Sequence, residues 1–472
     1  MPEDELRAFL LADKDDLYDA AIELPERRPA LFVPESGARW VWRWTERAHA
    51  PRLRDERPGL ASPWSPWGAR VARERARLVQ LDREELEAVA GGPRAASRTA
   101  VSTARRRALV RLERFHRRLE LEQGRVRGGS ERREPPIERL QSALGDDEVL
   151  LEYHVGRAAI RVVRVAQDAI DVVPLGANVD ETRALVHRLR RLWDRFRLLP
   201  GTSPPGTMRE AEADLLGGLH DRLVAPLLDG MRPDGIVIVP HRWLHGVPFH
   251  SLLGREGALV DTSAVRYGFT AAHALASTMS PATRESAVFI GVSSPEAPGA
   301  EDEARTLSDF WPGSTLLTGS RATQASLRRR WAKARLIHLA AHGDRHPDDP
   351  RSSGLRLHGS RFDVYDCDSV RTRGIVILSA CRTGESVLWG SDDAFGLLPA
   401  LVRSGANQVI ASLWTVGDAS AHRFMAALHA HLARGARVDR AMRFAYLAAR
   451  ASRATAFDWA PFALFGARGP GG

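Results

Sequence analysis

Short apolar runs alternate along the last 190 or so residues with segments whose apolar positions recur at helical spacing. Continuous rather than alternating hydrophobicity is typical of parallel strands covered by helices on both faces. From about Arg284 onward the pattern therefore predicts an α/β fold. The predicted strands are "SAVFIGVSS", "STLLTG", "RLIHLAA", "IVILSA" and "QVIASLW"; the predicted helices are "EDEARTLSDFW", "TQASLRRRWAK", "DDAFGLLPALVRSG" and two more from about Asp418 to Arg450.

The preceding region also contains short apolar runs and segments of helical period. Three β-branched runs at hairpin spacing, "EVLLEYHV", "AIRVVRV" and "AIDVVPL", predict strands. Helical periods follow in "VDETRALVHRLRRLWDRFRLL" and "MREAEADLLGGLHDRLVAPLLDGM", and "GIVIVP" predicts a strand buried on both faces.

Residues 1–135 are predicted to form helical segments broken by Pro- and Trp-rich loops, and "GRVRGGSERREPP" is predicted to be a linker. Tryptophans at this density favour a packing surface over a ligand cage. The predicted organisation is a helical region over 1–135, one α/β half over 136–285 and a second over 286–472. The tryptophans concerned are Trp40, Trp42, Trp44, Trp64 and Trp67.

Composition indicates a globular protein with more than one domain: 472 residues, 44% hydrophobic and 27% charged. No apolar run approaches the roughly 20 residues that span a bilayer, and the N-terminus is acidic where a signal peptide is basic. Two cysteines, Cys367 and Cys381, exclude a disulfide framework and fit a reducing compartment. We expect a cytoplasmic protein without a membrane segment.

Most of the net charge of +9 is concentrated in one stretch, since residues 94–145 contain fourteen Arg and six Glu. Val101, Leu109, Leu112, Phe115, Leu119 and Leu121 lie there at approximately helical spacing. A solvated or inter-domain helix is the favoured interpretation, because no aromatic stacking platform accompanies the charge. Nucleic-acid contact through Arg94–Arg139 is the alternative.

Two predicted strands end at reactive side chains, "RLIHLAA" at His342 and "IVILSA" at Cys381. If these strands are parallel neighbours, both side chains emerge at the same rim of the sheet, where ligands of such sheets bind. An imidazole beside a thiol raises its nucleophilicity at neutral pH, so the pair predicts a thiol dyad. The N–H of Gly343, with that of Cys381, could form an oxyanion hole, at about 3 kcal/mol per donor.

Several spaced motifs resemble the CHAT domain, a caspase-like and separase-like peptidase domain: "LIHLAAHGD", "SGLRL", "VILSACRTGE", "ALVRSGANQVIASLWTVGD" and "DWAPFALFG". With upstream segments such as "IVIVPHRWLHGVPFHSLL", the resemblance covers about residues 146–467. It implies a cysteine endopeptidase with Cys381 as nucleophile and His342 as general base and then acid. It also implies that residues 146–285 are a degenerate companion half, and that the N-terminal region is a sensor module, although no 34-residue period is visible there.

Substrate specificity in such peptidases depends on the pocket for the residue before the scissile bond. The resemblance places Asp418 there, with Asp392 and Asp393 as alternatives, and an acidic pocket would select Arg or Lys. Asp418 could equally be the N-cap of the helix that follows. The resemblance also makes Ser353, Gly354 and Leu355 part of an edge strand to which an extended substrate could add.

Other candidate residues favour structural roles. His338 lies on a predicted strand, where it lacks helical metal-site geometry, so we expect it to be packed and hydrogen-bonded. His241, His245 and His250 have no carboxylate or thiol at ligand spacing, and the resemblance implies that their segment is a structural turn. Acidic neighbours disfavour a Cys367 thiolate. No third residue that orients His342 is visible, Asp344 being a candidate by proximity alone.

The sequence therefore predicts an endopeptidase that needs no metal or cofactor. It acts on a protein substrate of unknown identity, with a regulatory protein partner at the N-terminal region. The competing hypothesis is a catalytically silent scaffold that docks protein partners or nucleic acid.

Overall fold

The computed structural model describes most of the chain, and the residues that it leaves out include Cys381, Asp392, Asp393 and Ser353. Within the described part, no helix is both long enough and apolar enough to cross a membrane. The described ranges are 16–49, 66–89, 98–126, 136–199, 204–275, 286–344, 354–367, 369–379, 396–451 and 455–469.

Eleven strands of the described residues form one sheet, in the order β3-β2-β1-β4-β7-β16-β15-β14-β10-β8-β9. Most neighbours are parallel; β1–β2, β2–β3 and β15–β16 are antiparallel. These strands are β1 (Glu148–Val155), β2 (Ile160–Val165), β3 (Ile170–Leu175), β4 (Gly235–Val239), β7 (Ala264–Tyr267), β8 (Ala287–Val292), β9 (Thr315–Leu317), β10 (Leu336–Ala341), β14 (Ile375–Ser379), β15 (Gln408–Ser412) and β16 (Phe462–Gly466).

The other strands of the described residues form two smaller sheets. One is the antiparallel pair β5 (Leu253–Gly254) and β6 (Gly257–Ala258). The other has the order β11-β12-β13, with β11 at Gly343–Asp344, β12 at Gly354–Leu357 and β13 at Ser360–Asp363.

Helices cover the large sheet, and the fold class expected from the sequence, a mostly parallel sheet between helices, is confirmed. The helices are α1 (16–27), α2 (Pro34–Ala48), α3 (Pro66–Val89), α4 (Arg98–Val126), α5 (Ile137–Ala143), α6 (Val179–Arg197), α7 (Gly206–Leu223), α8 (Leu259–Thr262), α9 (Ala271–Leu275), α10 (Ala300–Ser308), α11 (Gln324–Trp331), α12 (Val364–Cys367), α13 (Leu397–Arg403), α14 (Asp418–Leu432), α15 (Val438–Ala451) and α16 (Ala456–Trp459).

One predicted helix is shorter than its apolar pattern. The period in "MREAEADLLGGLHDRLVAPLLDGM" runs to Met231, whereas α7 ends at Leu223 and a short 3-10 turn, Ala225–Leu227, follows. Pro226 explains the difference, because proline lacks an N–H and disfavours helical backbone in the residue before it.

The two α/β regions share one sheet, which they form edge to edge. β7 pairs with β16 in parallel, so the strands of the first region continue into those of the second. Buried Arg266 of β7 donates across this junction to the carbonyl of Gly466 at 3.1 Å, and it forms an ion pair with Glu148 of β1, in its own region, at 2.9 Å. The predicted boundary at 285/286 falls at the edge of the undescribed residues 276–285.

The first two helices cover one face of strands β1–β3. Trp42 of α2 is 4% exposed and packs in a cluster with Ile22 of α1 and Leu150 of β1. Glu26 of α1 accepts hydrogen bonds from Arg161 at 2.7 and 2.8 Å. The expected tryptophan packing surface is therefore confirmed for α2, while Trp64 lies outside the described residues.

Helices α3 and α4 form a hairpin with a small apolar core of its own. Val101 and Leu112 of α4 are buried against Val71 and Leu78 of α3. Arg111 of α4 pairs with a glutamate of α3 at 3.0 Å. The helix expected in the basic stretch is confirmed, and α3 packs against β13.

Candidate active site

The carboxyl ends of β10 and β14 lie side by side. The two strands are parallel neighbours, and Ala340 is level with Ser379. His342 follows Ala340 by two positions and is half-buried. Cys381 follows Ser379 by two positions in the sequence and lies outside the described residues. The structure thus confirms that the two strands are adjacent, and the His342–Cys381 dyad stays a prediction.

The backbone of Gly343 is oriented by its strand pairing. Gly343 is opposite Leu355, and the N–H of Arg356 donates to the carbonyl of His342 at 3.0 Å. In an antiparallel ladder this bond identifies Gly343 and Leu355 as a non-hydrogen-bonded pair. The N–H of Gly343 therefore points away from β12, an orientation compatible with donation to a substrate.

The expectation that "SGLRL" is an edge strand is wrong for the described residues 354–357. β12 is the middle strand of its sheet, with β11 on one side and β13 on the other. Gly354 and Leu355 each have partners on both sides, so their backbone cannot accept an added substrate strand. The second partner is β13, which returns through the two-residue turn at His358 and Gly359; the positive φ of 58° at Gly359 suits such a turn.

A cavity of about 190 Å³ opens beyond the ends of β10 and β14. Asp418 lines it, and its carboxylate accepts a hydrogen bond from the backbone N–H of Gly299 at 3.1 Å. Gly417, not Asp418, occupies the N-cap position of α14, so the N-cap alternative is wrong. The other lining residues are Ala297, Gly299, Ala300, Asp302, Glu303, Ala340, Ala341, Ser379, Val416, Ala419, Ala421 and His422.

Below this cavity lies a buried polar chain that the sequence did not reveal. The indole N–H of Trp311 donates to Nδ1 of His429 at 3.1 Å, and Nε2 of His429 is 3.2 Å from Nδ1 of His338. Nε2 of His338 is 3.0 Å from Glu303. Since an indole can only donate, each imidazole accepts at Nδ1 and donates at Nε2, so Glu303 receives the last N–H. This confirms a packed, hydrogen-bonded His338.

Burial keeps the histidine of α14 in this chain neutral. It lowers the pKa of His429 well below its ordinary value, and the adjacent His338 lowers that pKa further. The partners of His338 could not be identified from the sequence, because they come from α10, α14 and the residues after α10.

Glu296, in the segment between β8 and α10, is another residue that the sequence analysis missed. A hydrogen bond from its own backbone N–H lowers the pKa of its carboxyl, and the nearby side chains of Ser294, His342 and Arg356 lower that pKa further. Its carboxylate lies 3.8 Å from Arg356. Glu296 is therefore an acidic neighbour of His342; the side chain of the proximity candidate Asp344 lies outside the described residues.

The remaining histidines and Cys367 occupy structural positions. His241 accepts from the N–H of Val155 at 2.9 Å, and His250 lies 2.7 Å from the hydroxyl of Tyr267. Both belong to the segment that includes His245 and contains two 3-10 turns, as the sequence predicted. Cys367 is 0% exposed. Among the described residues, no group of three or more His, Cys, Asp or Glu side chains could hold a metal ion.

Comparisons with solved structures find distant similarities. The chain is 11% identical to gingipain R (RgpB), an Arg-specific cysteine proteinase of Porphyromonas gingivalis, over 55% of this chain and 67% of that one, with a TM-score of 0.38. It is 10% identical to a chain of the Saccharomyces cerevisiae separase–securin complex, over 71% of this chain and 30% of that one, with a TM-score of 0.48. The protein thus spans under a third of that chain. At these values neither similarity carries an argument about chemistry.

The curated proteins include no match to this chain. A family model described as the CHAT domain matches residues 213–467, the larger part of the predicted resemblance. Because this match covers more than half of the chain, the protein belongs to the CHAT domain family.

Proposed function

We propose that the protein is a cysteine endopeptidase in which Cys381 is the nucleophile and His342 is the general base and acid. The observation that carries the proposal is the register of β10 and β14. His342 and Cys381 each follow the level pair Ala340–Ser379 by two positions. Equal offsets from adjacent parallel strands favour a meeting of the two side chains at one rim.

The proposed reaction proceeds in two steps. The Cys381 sulfur attacks the peptide carbonyl carbon while His342 takes the thiol proton; the C–N bond then breaks, and His342 gives that proton to the departing amine. Water, deprotonated by His342, next attacks the thioester and releases the acid and the thiol. The N–H groups of Gly343 and Cys381 would stabilise the oxyanion, and the outward orientation of the Gly343 N–H supports this role.

The cavity beside this rim supports specificity for a basic residue before the scissile bond. Asp418 and the exposed Asp302 both line it, and Glu303 is a third carboxylate at its wall. A lining of this charge would attract Arg or Lys and penalise acidic side chains. Asp392 and Asp393, the alternatives from the sequence, remain candidates on the undescribed segment after Cys381.

We also propose that a regulatory protein partner binds the N-terminal region. Helix α3 packs against β13, the neighbour of β12, which in turn pairs with the strand that contains Gly343. A partner that moves the α3–α4 hairpin would therefore act two strands away from the proposed oxyanion hole. The substrate and partner are expected to be proteins, and the cytoplasm is the expected compartment.

A peptide-library digestion tests the function. The protein and its Cys381→Ala variant are incubated with the same library, and cleaved bonds are identified by mass spectrometry. We expect cleavage after Arg or Lys with the protein and none with the variant. If neither protein cleaves the library and both bind the same host proteins, the result would instead support the catalytically silent scaffold.

A further inference from the structure

The residues that connect β15 to α14, 413–417, reach the cavity through Val416; we call them the pocket loop. Val416 belongs to this loop and Asp418 follows it directly, and both line the cavity. Since α14 begins at Asp418, the position of the loop sets where this carboxylate lies. The contacts that hold the loop are therefore contacts that shape the pocket.

Trp414, which is 8% exposed, is one of the residues that hold the pocket loop; the backbone N–H of Leu413, which donates to the carbonyl of Pro461 at 2.7 Å, is another. The indole N–H of Trp414 donates to the carbonyl of Phe457 at 2.9 Å. Its ring packs against that of Trp193, with 4.3 Å between the ring centroids and 32° between the planes. Trp193 belongs to α6, in the half of the chain that precedes β7, so this ring contact joins the loop to the half that does not carry His342.

Trp193 is itself fixed by Glu212 of α7. The indole N–H of Trp193 donates to this carboxylate at 2.7 Å, and the backbone N–H groups of Ala456 and Phe457 donate to it at 3.0 Å each. Glu212 is 4% exposed, and burial raises the pKa of its carboxyl although these donors oppose the rise. A buried carboxyl with three donors is a costly and specific arrangement, because any lost partner leaves a polar group unsatisfied.

We propose that Trp193 and Glu212 are positioning residues for the pocket: they hold Trp414 and Phe457 and thereby place Val416 and Asp418. The inference rests on the proposed function for its effect on catalysis. It assigns a role to the companion half, which supplies α6 and α7: that half orients the specificity pocket across the shared sheet. The packed rings of Trp193, Trp414 and Phe457 connect α6 of the companion half to the pocket loop.

Steady-state kinetics test the proposal, because residues that position the pocket should affect KM more than kcat. For a substrate with Arg before the scissile bond, Trp193→Ala is expected to raise KM about 10-fold and to change kcat less than about 3-fold. Trp193→Phe keeps an aromatic ring against Trp414 and is expected to restore most of the loss. Leu189→Ala removes a buried side chain, 2% exposed, from the same helix and is the matched control. Equal changes of KM and kcat in Trp193→Ala and Leu189→Ala would overturn the proposal.

Hydrogen–deuterium exchange separates this proposal from the proposed function, because it needs no activity. In a Cys381→Ala background, Trp193→Ala is expected to increase amide exchange in a peptide covering 413–421 about 10-fold, whereas Trp193→Phe and Leu189→Ala leave it unchanged. Unchanged exchange in Trp193→Ala would overturn the positioning role even in an active peptidase. Increased exchange, together with no cleavage of any peptide by the protein that retains Cys381, would retain the positioning role and reject the peptidase.

Discussion

The buried imidazole of His250 shows how this fold keeps a histidine neutral. Its Nε2 lies 2.9 Å from the carbonyl of Ala460, which only accepts, so Nε2 carries the hydrogen and Nδ1 accepts from the Tyr267 hydroxyl. Burial lowers the pKa of His250 to about 4, against the weaker opposing effect of the bond to Ala460. The native state therefore excludes a proton that the unfolded chain takes up near pH 6.5.

This difference predicts acid sensitivity. A folded pKa below the unfolded one means that the contribution to stability is complete above about pH 6.5 and is lost as the pH falls towards 4. For His250 alone the free energy of unfolding should fall by about 2 kcal/mol between pH 7.5 and pH 5. Urea denaturation at both pH values measures it. His250→Gln should reduce the fall and exposed His358→Gln should not; equal falls in all three proteins would reject the assignment.

Asp418 is the residue on which the proposed basic specificity depends. Asp418→Asn keeps the size of the side chain and an acceptor for the Gly299 N–H, and removes the negative charge. We expect kcat/KM for Arg and Lys substrates to fall about 100-fold, equivalent to about 3 kcal/mol, with little change for an apolar substrate.

The matched control for this change is Asp309→Asn, an exposed carboxylate at the end of α10 that does not line the cavity. Steady-state kinetics with paired Arg and Leu peptides give the ratio. A ratio that is unchanged in Asp418→Asn would show that another group, such as Asp392 or Asp393, sets the specificity.

At the scale of elements, apolar runs predicted the strands of the large sheet well. Strand β1 has the bounds of its predicted run, Glu148–Val155, and every one of its residues is buried. The short strands β7 and β16 were not predicted, since four or five residues that include aromatics are equally compatible with a helix or a turn. β12 was predicted as a strand, but its position in the middle of a sheet depends on β11 and β13, and partner order is not encoded in local periodicity.

The α3–α4 hairpin is expected to fold as a local unit of its own. Leu112 is 0% exposed in its core, so Leu112→Asp should unfold the hairpin by burying a charge without a partner. Val110→Asp, at a position 53% exposed on the same helix, is the control. Limited proteolysis should show new cuts within 66–126 in Leu112→Asp only. Loss of the whole fold in that variant would show that the hairpin is integral to the main core.

Nucleic-acid contact through the positive charge of α4 stays a prediction. Arg106, Arg107, Arg114 and Arg118 are exposed, whereas Arg105 is 4% exposed and belongs to the packed face. The exposed arginines agree with the favoured interpretation of α4 as a solvated or inter-domain helix. Arg111, on the other hand, is paired with a glutamate of α3.

At the scale of the whole molecule, one continuous sheet joins the two α/β regions, so we expect them to unfold together. Arg266 donates across the junction to the carbonyl of Gly466 and is paired within its own region with Glu148, the two side chains being 1% and 6% exposed. Arg266→Leu would leave the carboxylate buried without its partner and should lower the free energy of unfolding by about 3–5 kcal/mol. Arg266→Leu with Glu148→Leu should recover much of this loss.

Chemical denaturation followed by both fluorescence and circular dichroism measures these effects. The surface pair Arg232–Glu256, with side chains 80% and 51% exposed, is the control, and Arg232→Leu should cost at most about 1 kcal/mol. Two separate transitions in the unaltered protein would contradict a single cooperative sheet.

Much of the site could be predicted because its residues lie at strand ends, where the local sequence alone indicates position. His342 and Gly343 are such residues. Trp193, Glu212, Glu296 and Glu303 could not be predicted, because each acts through a partner far away in the chain. The cavity is likewise a product of several elements that meet only in the folded molecule.

The proposed Cys381–His342 dyad is tested most directly by alkylation of the native protein with iodoacetamide, with the modified cysteine identified by mass spectrometry. If His342 activates Cys381, we expect rapid labelling of Cys381, a rate at least about 10-fold lower in His342→Ala, and no labelling of buried Cys367 until the protein is denatured. Equal rates for Cys381 with and without the imidazole, or a native Cys381 that does not react, would contradict the proposed dyad.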